Sequence, residues 1–78
     1  MRNFTDEARA LAERIEETGL LEFATAIREA IDFASTGNEL LFGLRFHLRR
    51  FAAQEAAPSD LKGGATELAD AIDAVLKA

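Results

Sequence analysis

Along nearly the whole chain the apolar residues recur at intervals of three and four, and in no window do they alternate strictly as they would in a half-buried strand. That spacing confines the chain to helices. Three interruptions divide it into four runs: Gly19, the segment Ser35-Thr36-Gly37-Asn38, and the segment around the single proline, Glu55-Ala56-Ala57-Pro58-Ser59. The predicted helices cover about 6–18, 20–34, 37–54 and 60–77. The expected fold is all-α, a compact four-helix bundle-like single domain spanning 1–78.

The ends of the runs follow from capping chemistry. Thr5 is the expected N-cap of the first helix, with Asp6 and Glu7 set against its positive end, and Gly19 is the expected left-handed residue after its last turn. Thr36, followed three residues later by Glu39, forms a capping box that starts the third helix. Proline at 58 forces the preceding residue out of the α region and ends that helix. Ser59 or Asp60 is the expected cap of the last helix, whose regular part could begin only after Gly63-Gly64, because glycine is a poor helix former.

The apolar stripes differ in width. Ala8, Leu11, Ala12 and Ile15 make a narrow stripe on the first helix. Leu20, Leu21, Phe23, Ala24, Ile27, Ala30, Ile31 and Ala34 make a broad one on the second, suited to two neighbours. On the last helix Leu61, Ala65, Leu68, Ile72 and Val75 form a heptad-like seam with Leu76 beside it. The third helix is apolar on two opposite sides. At about 100° per residue, Leu40, Leu41, Leu44, Leu48 and Phe51 fall on a core side, while Phe42 and Phe46 point away from it. Arg49 lies beside those two rings, Glu39 and Arg50 lie at the other edge, and Gly43 lies on a flank where another backbone can approach.

A chain of 78 residues buries a small share of its surface, and with no cysteine it has neither disulfides nor thiolate metal ligands to compensate. The first residues lack the apolar stretch of a signal peptide, and no run is long enough to span a membrane, so the expected location is the cytoplasm and no membrane partner is expected. The net charge of −5 argues against general nucleic-acid binding, which neutralises phosphates with a basic surface. One basic band, Arg45, His47, Arg49 and Arg50, interrupts an acidic protein.

Catalytic and metal chemistry find no constellation, and no cofactor is expected. The only histidine, His47, has no aligned acid and nucleophile near it in sequence, and Ser35, Thr36 and Ser59 are cap and turn residues. Glu67, Asp70 and Asp73 line one stripe of the last helix, and Glu13, Glu16 and Glu17 cluster on the first. Without the Glu-x-x-His of di-metal bundles, these acids form a solvated face or a surface complementary to a basic partner. The expected protein-binding residues are therefore Phe42, Arg45, Phe46 and Arg49, with Glu13, Glu16, Glu17, Glu67, Asp70 and Asp73.

Two readings of the second apolar face stand side by side. In one, the neighbouring helices cover Phe42 and Phe46 and the arginines pair with local carboxylates. In the other, two aromatics framed by arginines form an interface, for a second copy or for a foreign protein. The segment Ile31–Leu48, with its S-T-G-x-E cap, the apolar triplet Leu40-Leu41-Phe42, and then Gly43, Leu44, Arg45 and Phe46, resembles small helical immunity proteins encoded beside bacterial polymorphic toxins. The resemblance covers about a quarter of the chain. It implies a non-enzymatic inhibitor that binds a cognate toxin domain and blocks its active site or substrate path. An acidic protein associates fast with a basic toxin through electrostatic steering. The alternative is a cytoplasmic helical homo-oligomer or adaptor that uses the Phe42/Phe46 face.

Overall fold

The computed structural model describes residues 2–78 and contains four helices: α1 (Phe4–Glu17), α2 (Leu21–Asp32), α3 (Gly37–Ala52) and α4 (Ser59–Lys77). Each helix packs against the next and α4 returns to α1, closing a ring around one core. Paired side chains give the helix directions. Arg28 meets Glu16 and Arg9 meets Asp32 between α1 and α2, and Arg45 meets Asp73 and Arg49 meets Asp70 between α3 and α4. In each case the later residue of one helix pairs with the earlier residue of the other, so sequential helices are antiparallel. The short connections leave no other arrangement.

The core is a single cluster of aliphatic side chains and phenylalanine. Ala8, Leu11, Ala12 and Ile15 of α1 are all buried, the full stripe expected from spacing. They meet Phe23, Ala24 and Ile27 of α2, Leu44, Leu48 and Phe51 of α3, and Leu61, Ala65, Leu68, Ala69 and Ile72 of α4. No polar or charged residue is buried among the described residues. Phe51 and Phe23 pack edge to face at 5.8 Å, the preferred geometry for two aromatic quadrupoles.

Several boundaries differ from the sequence expectation. Asn3, not Thr5, caps α1, its Oδ1 accepting the N–H of Asp6 at 3.0 Å. A helix beginning two residues earlier gains Phe4 as a partly buried contact with the core. Gly19 closes α1 as expected, with φ of 89°, donating to the Glu16 carbonyl. At α3 the Thr36 hydroxyl accepts the Glu39 N–H at 3.1 Å, and the Glu39 carboxylate accepts from Ser35, one residue beyond the usual box partner.

The last helix begins at Ser59 with no side-chain cap. Neither Ser59 nor Asp60 fills that role, because Pro58 occupies the cap position and its carbonyl accepts the N–H of Lys62 at 2.9 Å. α4 runs unbroken through Gly63 and Gly64. Packing outweighs propensity here: Leu61, Ala65 and Leu68 around the pair are buried in the core, and a methyl group at Gly64 would meet Leu11 Cδ1 of α1 at an ordinary 3.8 Å. Val75 also departs from expectation, at 50% exposed, and Ala69 is buried instead. A seventh-residue repeat drifts by ~20° per heptad on a straight helix, and over this length the drift rotates Val75 off the stripe.

Candidate functional site

Phe42 and Phe46 are uncovered. They are 51% and 59% exposed, one turn apart on the outer side of α3, and neither α2 nor α4 reaches over them. The reading in which neighbouring helices enclose them is therefore set aside. With Arg45, Arg49, Arg50 and Ala53 they line an open depression on the bundle surface.

The arginines hold this surface in shape. Arg45 stacks over the Phe42 ring at 5.3 Å while pairing with the half-buried carboxylate of Asp73, which also accepts from Lys77 at 2.8 Å. Lys77 and then Arg45 keep the Asp73 carboxyl below the ordinary carboxylate range, so it stays ionised well into acid. Arg49 meets Asp70 at 3.0 Å. Arg50 reaches no carboxylate among the described residues. Its guanidinium spans two rings instead, 5.4 Å from Phe23 and 5.9 Å from Phe46. Cation–π contacts of this kind contribute about 0.5–1 kcal/mol at exposed sites and restrict the rings' motion.

The acidic residues divide into two groups. Asp70 and Asp73 turn toward α3, and Glu67 pairs with Arg2 at 2.8 Å, so the whole acidic stripe of α4 is matched within the chain. On α1, Glu16 pairs with Arg28 at 2.7 Å, whereas Glu13 and Glu17 are exposed and enter none of the ion pairs among the described residues. The structure thus brings Phe42, Arg45, Phe46, Arg49, Asp70 and Asp73 together on one face. Glu13, Glu16 and Glu17 lie on a separate one.

His47 sits on the α2 side of α3, edge-on to Phe46 at 5.1 Å, with its buried Nδ1 lacking a hydrogen-bond partner. Burial lowers its pKa from the ordinary 6.5, Arg50 adds to that, and Glu29 opposes it. Among the described residues no group of three or more His, Cys, Asp or Glu is placed to hold a metal, and no helix is long and apolar enough to cross a membrane.

A second apolar groove lies outside the sequence reading, lined by Phe4, Leu41, Ala71, Ala74 and Val75 with Arg2 at its edge. The sequence assigns Val75 to the seam of the last helix and Leu41 to the core side of the third, so Phe4, Ala71 and Ala74 lie outside the expected stripes. No family model, curated protein or solved structure matches the chain. The resemblance over residues 31–48 therefore stands on those residues alone, and the function of the α3 face has to be argued from its geometry.

Proposed function

We propose that the chain is a non-catalytic protein-binding module that docks through the outer face of α3, and that its role is that of an immunity-type inhibitor of a cognate toxin domain. The observation that carries the docking reading is the exposure of Phe42 and Phe46 on one ridge, fixed by Arg45 and Arg50. Aromatic residues and arginine dominate interface hot spots because they bury large areas with few rotatable bonds. Ordering them before binding lowers the entropy lost on association. The narrower role rests on the resemblance of residues 31–48 and on the net charge of −5, with unpaired Glu13 and Glu17 available to steer a basic domain. The internal pairing of Glu67, Asp70 and Asp73 removes α4 as the main steering surface.

The test is a search for a toxin gene beside this one, followed by rescue of growth from its product. Wild type is expected to protect, and Phe42→Ser/Phe46→Ser is expected to lose protection while keeping its helical circular dichroism and melting cooperatively. A folded double variant that still protects would sink the docking reading. Absence of any adjacent toxin gene would sink the immunity role and leave docking to be judged by other partners. The specific observation that favours self-association as a second reading is the charge order along the same ridge.

A further inference from the structure

Five residues, Glu39, Phe42, Phe46, Arg49 and Ala53, follow the outer side of α3 at intervals of three, four, three and four, and all five are exposed. That alternation, which ends on Ala53 just after the helix, keeps its members on one stripe along which a second helix can lie. The other apolar residues of α3 are taken up by the chain's own core, and among the described residues no helix covers this stripe. Its first four members are acid, aromatic, aromatic and base. Reversed end for end, this order is its own complement.

Resting on the reading of this face as a docking surface, we infer that it pairs with the same face of a second copy, the two α3 helices running antiparallel. A twofold axis midway between Phe42 and Phe46 sets Phe42 of each chain against Phe46 of the other and Glu39 of each against Arg49 of the other. A parallel pair would place Glu39 opposite Glu39 and Arg49 opposite Arg49, so the charge order selects the antiparallel one. The twofold closes the interface and leaves no edge for further growth.

The end groups have capacity for this contact. Arg49 remains 44% exposed beside Asp70, and a guanidinium has five N–H donors, enough to hold a second carboxylate. Glu39 uses Oε2 on Ser35, leaving Oε1 unused within the described residues. The chain's charge of −5 opposes association, but on this face Arg45, Arg49 and Arg50 balance Asp73, Asp70 and Glu39, so the face itself carries no net charge. The repulsion therefore acts from a distance and is screened by salt.

Area sets the strength. α3 has 16 residues and is about 24 Å long, and its two half-exposed rings offer on the order of 200 Å². A standard interface buries about 800 Å² per partner, so this dimer is weak, forming only toward roughly millimolar concentration. It shelters the rings in the free protein and yields to a tighter partner on the same face.

Sedimentation equilibrium of the full chain over a wide concentration range tests the pairing. Wild type is expected to rise from one-chain to two-chain mass, Arg49→Glu to shift that rise to at least about tenfold higher concentration, and Glu39→Arg/Arg49→Glu to restore it. The register is read by disulfide formation, since the chain has no cysteine of its own. A mixture of Glu39→Cys and Arg49→Cys chains is expected to cross-link, and either chain alone is not. A wild type that stays monomeric throughout overturns the dimer, as does a folded charge exchange without recovery or a single-cysteine chain that links to itself. Rescue by wild type, lost in Phe42→Ser/Phe46→Ser, leaves the docking reading intact in that event. A dimer unaffected by that double substitution overturns the inferred site even if rescue is lost.

Discussion

Phe46 and Phe51 lie five residues apart on the same helix and meet opposite surroundings. Phe51 is fully buried and packs against Phe23, whereas Phe46 is 59% exposed, edge-on to His47 and beneath the guanidinium of Arg50. Five residues turn a helix through about 500°, which carries the second ring well around from the first. One side of α3 thus contributes to folding and the other is available for recognition. The two sides are separable because α2 and α4 flank α3 without crossing its outer face. Removing a ring from one side should therefore change stability, and from the other, binding.

The sharpest test of that separation is Phe51→Ala. A buried phenylalanine lost to a cavity costs about 3–5 kcal/mol. A 78-residue domain has on the order of 4–12 kcal/mol in total. Urea denaturation should show Phe51→Ala losing much of its stability, to the point of unfolding at the lower end of that range. Phe46→Ala should lose less than about 1 kcal/mol. Comparable losses at the two positions would mean that the outer ring is structural after all, and the functional reading of that face would fall with the comparison.

Glycine offers the same contrast on a smaller scale. At Gly43 a methyl group would lie 3.4 Å from the Ala30 Cβ, because α2 and α3 approach closely there; at Gly63 nothing lies within 4 Å. Both positions are within helices, where alanine is preferred by up to about 1 kcal/mol. Gly63→Ala should realise about 0.5–1 kcal/mol of stabilisation, a rise of several degrees in Tm for a domain this small. Gly43→Ala should gain less, since the helices must make room for the added carbon. Equal gains in thermal melts would show that the α2–α3 crossing has slack, and the flank of α3 would then belong with its open side.

How far the sequence revealed this division depends on whether a feature is local or involves neighbours. The stripe of α1, the Gly19 turn and the Thr36 cap are set by residues within one turn of each other, and each could be read directly. Phe42 and Phe46 could be placed opposite the core side by counting angles, but whether another helix covers them depends on the ring of neighbours. The destination of Asp70 and Asp73 was hidden for the same reason: a stripe of acids on α4 looks solvated until α3 brings Arg49 and Arg45 beside it. Gly63-Gly64 misled because its weak propensity is outweighed by burial of the flanking Leu61, Ala65 and Leu68 in the core, which no local window contains.

His47 stands on the border between the two sides of α3, and its titration locates that border in energy. Burial is the main cause that keeps its imidazole below the ordinary value of 6.5, with Arg50 acting the same way and Glu29 against it. As pH falls through about 6.5, the unfolded chain takes up a proton that the folded chain refuses until lower pH. Stability is therefore full above that value and declines as pH falls toward the folded pKa. His47 is the only histidine, and Asp73, whose pKa is lowered by Lys77 and Arg45, holds its contribution until the pH drops below the ordinary carboxylate range. The interval between is thus dominated by one group. Urea midpoints of wild type should fall between about pH 7 and pH 5, and His47→Gln should flatten that slope. A wild type with no slope would place His47 on the solvent side of α3. A variant with an unchanged slope would move the titration to other groups, and the border would then be set by packing alone.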